Sequence, residues 1–233
     1  MPELRSDRVV ELSVTELIER ARALLGRPGR TMLGVTGPPG AGKSTITHAL
    51  TTSLGSDVVV VPMDGFHLSN ELLMEMGRRD RKGAPDTYDV AGYVALLRRI
   101  RDRDDRVYAP RFDRELEESI GSAQPVPAST PLVVTEGNYL LTQTDGWHEV
   151  RGALDEVWYV DVDIDEVCRR IVARRIGHGD SPEAALAWVT EVDARNAHVV
   201  VESRDRADLV IRVTGEPTEN PAPNPEEHGK QNR

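Results

Sequence analysis

The stretch Gly37-Pro38-Pro39-Gly40-Ala41-Gly42-Lys43-Ser44 constrains the fold more than any other part of the chain. It fills every fixed position of the pattern G-x-x-x-x-G-K-[ST]. Thr31-Met32-Leu33-Gly34-Val35-Thr36 before it reads as a buried strand, and Ser44 to Leu54 after it reads as a helix. A glycine-rich turn between a strand and a helix aims backbone amides and the positive end of the helix dipole at one point, which suits a phosphate. Pro38 and Pro39 have no N–H, so beyond Gly37 the donors are expected from Gly40, Ala41, Gly42, Lys43, Ser44 and Thr45. Lys43 is expected to reach the β- and γ-phosphates of a nucleoside triphosphate, and the Ser44 hydroxyl to sit on Mg²⁺. A guanine-reading N-K-x-D stretch does not occur, which leaves kinases, ATPases and nucleotide-binding regulators.

The rest of the chain alternates strands with helices. Ser13 and Glu16 form a capping-box pattern ahead of Leu17, Ile18, Ala21 and Leu24 at helical spacing. Val58 to Val61 is a run of valines that suits a parallel strand covered on both faces. Leu68 to Met76 and Ala91 to Arg101 read as helices, Arg78 to Thr87 as a charged loop, and Val107 to Phe112 as a strand. Residues 121–131, rich in Gly, Ser, Pro and Ala, read as a connection. Leu132 to Thr135, Val157 to Asp161 and Leu209 to Val213 are further strands, and Ile164 to Ile176 and Pro182 to Ala194 are helices. This order predicts a three-layer α/β domain with a mostly parallel sheet over residues 1–213. The tail, 214–233, holds four prolines and almost no apolar residue, so it is expected to be disordered.

The chain has 233 residues, enough for a core without disulfides, and one cysteine, Cys168, which fits a reducing cytoplasm. Its formal charge of −10 argues against coating a nucleic-acid backbone or an anionic membrane. No apolar run approaches a membrane span. The six histidines show no metal-ligand spacing, and Cys168 reads as a packing residue.

Ligands of open α/β sheets bind beyond the carboxyl ends of the strands, so the residues after each strand are informative. Asp64 follows the valine run and would lie beside the phosphate loop, as a base for an attacking hydroxyl or as a metal-side group. Glu136 follows the Leu132 to Thr135 strand and is expected to ligate Mg²⁺ through water. The helix over 164–176 carries Arg169, Arg170, Arg174 and Arg175, with Arg170 and Arg174 one turn apart. With the glycine turn Gly177-His178-Gly179 and the next helix it makes a hinged lid over about 164–195. Arginines on such a lid can stabilise a transferring phosphoryl group. His67, Lys82, Tyr88, Arg111, Asn138, Tyr139 and Asn196 are the polar groups proposed to hold an acceptor beside Asp64, and Arg81 adds a further cation.

Taken in order, the phosphate loop, Met63-Asp64-Gly65-Phe66-His67, Arg81-Lys82-Gly83-Ala84-Pro85-Asp86-Thr87-Tyr88-Asp89, Glu136-Gly137-Asn138-Tyr139-Leu140-Leu141 and the arginine helix resemble the phosphoribulokinase/uridine kinase family of P-loop kinases. The middle stretch is similar to the bacterial pantothenate kinase branch, and the combination to bacterial nucleoside/nucleotide kinase family proteins. The resemblance spans roughly residues 15–213. It implies a P-loop NTPase fold with a mostly parallel five-stranded sheet, in which the Glu136 strand neighbours the phosphate-loop strand, and a helical lid. It implies ATP- and Mg²⁺-dependent phosphorylation of a hydroxyl on a small polar metabolite such as a sugar, a nucleoside or a pantothenate-like compound. It gives Asp64 the base role, Glu136 the metal side, and the arginines from Arg169 to Arg175, Arg174 foremost, the phosphate. Two rival readings stay open: a nucleoside monophosphate kinase, and a non-catalytic nucleotide-binding regulator. A homodimer is the one protein partner left open.

Overall fold

The apolar runs of the chain meet in one sheet. The computed structural model describes residues 9–104, 106–177, 179, 181–183, 186 and 194–214. Its strands are β1 (Val9–Ser13), β2 (Thr31–Thr36), β3 (Val58–Pro62), β4 (Val107–Asp113), β5 (Glu118–Val126), β6 (Leu132–Gly137), β7 (Glu156–Val160) and β8 (Leu209–Thr214). Six of them form a sheet in the order β1-β8-β7-β2-β6-β3, with every pairing parallel. The phosphate-loop strand β2 is therefore central, and the Glu136 strand β6 lies directly beside it.

The helices are α1 (Val14–Leu25), α2 (Lys43–Leu54), α3 (Asn70–Glu75), α4 (Val90–Arg101), α5 (His148–Arg151), α6 (Ile164–Gly177) and α7 (Ala194–Val201). Alternation along β2 assigns the two faces: Leu33 and Val35 pack with Leu17, Ile46 and Leu50 from α1 and α2, while Met32 joins Tyr93, Leu97, Val150 and Val200 from α4, α5 and α7. The result is three layers. The Ser13 capping box is present, with its hydroxyl and the Glu16 carboxylate exchanging bonds with backbone amides. No described helix is long and apolar enough to cross a membrane.

Three expectations change. The sheet has six strands, not five, because Val9–Ser13 adds β1 along β8. Five residues leading straight into a helix cap are too short for the period to stand out. The connection expected at 121–131 contains most of β5, which pairs antiparallel with β4 as a hairpin outside the main sheet. Gly121 and Pro125 have poor strand propensity, and the ladder to β4 holds them extended. Third, β3 is an edge strand whose Val59 and Val60 stay half-buried. The hairpin blunts this edge: the Gln124 side-chain amide donates to the Val60 carbonyl at 2.7 Å. The predicted tail beyond Thr214, and most of the predicted helix over 182–194, lie outside the described residues.

Candidate active site

The site forms where β2, β6 and β3 end. Gly42 caps α2 with φ +92°, a left-handed conformation that glycine adopts at little cost, and Lys43 is the first helical residue. The Lys43 ammonium donates to the Gly37 and Pro38 carbonyls, each at 2.9 Å, and to Asn138 Oδ1 at 2.7 Å. Among the amides expected to face phosphate, that of Ala41 donates to the Pro38 carbonyl at 3.1 Å. The parallel register pairs Val35 with Glu136, so the acid lands next to the start of α2. There the Ser44 hydroxyl lies 3.0 Å from each Glu136 carboxylate oxygen.

Pro62 of β3 also pairs with Glu136, and the next residues, Met63–Phe66, make a 3₁₀ turn that carries Asp64. Burial pushes the Glu136 carboxyl above the ordinary value, and the Asp64 charge pushes it the same way; Lys43, the Ser44 hydroxyl and Arg114 oppose them. The Glu136 carboxylate and the Ser44 hydroxyl at 3.0 Å present hard oxygen ligands of the kind a divalent cation takes. Ser44 and Glu136 therefore fit Mg²⁺, which would neutralise charge on the phosphates when bound.

The Asp64 turn is held from two sides. Its carbonyl accepts the His67 N–H at 3.2 Å and His67 Nδ1–H at 2.8 Å. From above, β4 crosses it so closely that a Cβ on Gly65 would sit 2.6 Å from the Pro110 carbonyl oxygen. The Asp64 carboxylate lies 3.9 Å from the guanidinium of Arg114 in the hairpin turn.

The structure thus brings Lys43, Ser44, Glu136, Asn138 and Asp64 together. Asn138, expected on the acceptor, fixes the lysine. His67 lies between Tyr88 and Phe112, with tilted rings at centroid distances of 4.1 and 4.8 Å, and burial pushes its pKa below the ordinary value while the Asp64 charge opposes this. Lys82 lies 2.8 Å from Asn70 Oδ1 and 2.5 Å from the Glu117 carbonyl, tying the charged loop to α3 and the hairpin. Tyr88 and Tyr139 are buried; the Tyr139 hydroxyl donates to the Gly83 carbonyl at 2.6 Å, toward which Asn196 Nδ2 also points at 3.5 Å. These two residues hold the loop over 78–87 from beneath. Arg81 pairs with Asp86 at 2.8 Å, and Arg111 is exposed on β4. On α6, Arg169 pairs with Glu166 at 2.7 Å; the side chains of Arg170 and Arg174 lie outside the described residues.

Arg114 was not legible in the sequence as a neighbour of Asp64. It lies between two stretches read as a strand and a connection, and only the hairpin brings it to Asp64. The charged run Arg111-Phe112-Asp113-Arg114 was its one visible trace.

Several known proteins are similar to this chain. The family model described as "Phosphoribulokinase / Uridine kinase family" matches residues 32–218. A Schizosaccharomyces pombe protein provisionally named a uridine kinase, C227.14, is 30% identical over 212 residues, covering 86% of this chain and 90% of its own. A Streptococcus pneumoniae pantothenate kinase is 28% identical over 142 residues, covering 58% of this chain and 46% of its own. The crystal structure of a Silicibacter sp. TM1040 protein, provisionally named a fructose transport system kinase, superposes with a TM-score of 0.77 at 35% identity, covering 85% of this chain and 98% of its own. The motif order, the site at the strand ends and these matches agree: the chain belongs to the phosphoribulokinase/uridine kinase family of P-loop kinases.

Proposed function

We propose that the chain transfers the γ-phosphoryl group of ATP to a hydroxyl of a small polar metabolite. The observation that carries this reading is the second carboxylate. Glu136 with Ser44 suffices for the metal side of a nucleotide switch, whereas Asp64 stands close enough to raise the Glu136 pKa and is itself partly exposed. A carboxylate so placed can take the acceptor proton while the acceptor oxygen bonds to phosphorus and the bond from the γ-phosphorus to the bridging oxygen breaks, releasing ADP. Lys43 neutralises the phosphates, and Asn138 with the Gly37 and Pro38 carbonyls keeps its ammonium aimed. Arg170 and Arg174 on α6 are assigned to the charge of the transferring group.

The matched relatives are named for uridine, pantothenate and fructose transport, small compounds that carry hydroxyl groups. A nucleoside monophosphate acceptor is less well served, because Arg81 and Lys82 are engaged by Asp86, Asn70 and the Glu117 carbonyl. The test is ADP release from Mg²⁺-ATP across a panel of sugars, nucleosides, polyols and hydroxy acids. The reading expects ADP release that depends on one acceptor class. Release that ignores every acceptor would contradict it and favour a simple ATPase or switch.

A further inference from the structure

Two buried hydroxyls lie just beneath the carboxylates and take no part in the chemistry proposed for them. Tyr93 on α4 and Thr135 on β6 are both fully buried. The Thr135 hydroxyl donates to the Val61 carbonyl at 2.6 Å, which commits its one proton. The Tyr93 hydroxyl lies within hydrogen-bond distance of Thr135 Oγ1 and is therefore the donor of that bond. The chain of bonds runs from α4 through β6 to β3. It crosses at the rung that pairs Val61 with Thr135, next to the rung that pairs Pro62 with Glu136. Thr135 directly precedes Glu136, and Val61 lies three residues before Asp64.

The ring of Tyr93 reaches the Asp64 turn as well. It packs on Phe66, the last residue of that turn, with centroids 4.9 Å apart. One helical turn earlier, the amide of the α4 cap residue Asp89 donates to the Phe66 carbonyl at 2.8 Å. Turn and strand also meet directly, since a Cβ on Gly137 would sit 2.5 Å from that of Met63. Burial pushes the pKa of the Tyr93 hydroxyl above its ordinary value; the Thr135 bond opposes this, and the charges of Glu136 and Asp64 both add to the rise.

We propose that Tyr93 is a positioning residue: its hydroxyl, through Thr135, and its ring, through Phe66, fix Glu136 and Asp64 relative to each other. The proposal rests on the kinase reading, in which one carboxylate serves the metal side and the other the acceptor. In the main sheet β3 is held by β6 alone, so the strand that delivers Asp64 depends on one ladder and on the bonds that reinforce it. A hydrogen bond between buried groups keeps a narrow length and angle, and a partner left unmet is costly. Phosphoryl transfer depends mainly on positioning, so a looser pair of carboxylates shows in the rate.

The experiment uses the full chain. Tyr93→Phe keeps the ring on Phe66 and removes the hydroxyl. ATP binding is measured without divalent cation and then across a Mg²⁺ titration, and ADP release is measured with the acceptor that the panel identifies. Binding without Mg²⁺ should stay unchanged, because Tyr93 makes no recorded bond to the phosphate loop. The Mg²⁺ needed for half-saturation should rise, and kcat should fall, each by about threefold to tenfold. Thr135→Val should move the same quantities, and Thr135→Ser, which keeps the hydroxyl, should recover most of the loss. Ser203→Ala removes another buried hydroxyl, which donates to the Val200 carbonyl at 2.7 Å beyond the end of α7, and serves as the control. It should lower the melting temperature and leave both quantities in place. An unchanged Mg²⁺ requirement in Tyr93→Phe, or an equal shift in Ser203→Ala, would overturn the proposal and leave the kinase reading intact. ADP release that ignores every acceptor would sink the kinase reading instead. The two failures are separable, because the Mg²⁺ titration needs no acceptor.

Discussion

Lys43 and Asn138 are 95 residues apart in the chain, yet Asn138 completes the cradle of the lysine at 2.7 Å. The lysine was legible from the phosphate-loop pattern alone. The asparagine was visible as a polar residue after a strand, but its role was not, because the contact depends on β6 lying beside β2. The same holds for Arg114, whose pairing with Asp64 requires the hairpin to fold back over the 3₁₀ turn. Asn138→Ala removes one of three oxygen contacts recorded for the ammonium and leaves the two carbonyls. The expected outcome is a kcat/KM for ATP lowered about tenfold, through looser aim of the ammonium and not its loss. Steady-state kinetics with ATP varied at saturating acceptor would check this.

At the scale of elements, helix α1 is clamped to the sheet through Glu156, at the start of β7. Arg20 donates to Glu156 Oε1 at 3.0 Å, Arg27 to Oε2 at 2.8 Å, and the buried Trp158 indole to Oε1 at 2.8 Å. Burial raises the pKa of this carboxyl, but the bonds from Trp158 and Arg20, with those from Arg27, outweigh it and hold the pKa below the ordinary value of 4.5. A lowered carboxyl pKa stabilises the fold above the unfolded value, and that stabilisation is lost as pH falls through the folded value. Glu156→Ala leaves the indole N–H without this acceptor, so a loss of about 1–3 kcal/mol is expected. Both arginines are nearly half exposed, which keeps their share small. Glu156→Gln should cost less and should flatten the acid limb below pH 4.5, as read by thermal melts from pH 3 to 7. The capping box of α1 was legible in the sequence, since it is a local pattern. This clamp was not, because it joins α1 and the residues just after it to a strand about 130 positions further along the chain. The hairpin was half legible: β4 has strand residues, whereas β5 is held extended by its partner against its composition.

The whole molecule follows from the order of its parts. Strands alternating with helices fixed the three layers and the neighbourhood of β2 and β6, because buried parallel strands are short apolar runs bounded by turns. The edges of the sheet were the least legible. At one end β1 is five residues long, and at the other the valine run of β3 reads as interior while the structure leaves it flanked by a hairpin. That edge carries Asp64 to the strand end next to Glu136 and within 3.9 Å of Arg114. On the proposed reading, Asp64 takes the acceptor proton. Asp64→Asn keeps the shape and removes the charge, and paired titrations of ATP and acceptor on the folded variant separate the possible roles. A base role for Asp64 lowers acceptor-dependent turnover by roughly 10²–10⁴-fold while ATP affinity in the presence of Mg²⁺ changes only about a few-fold. Turnover near that of the natural chain, or a dominant loss of Mg²⁺-ATP affinity, would contradict it.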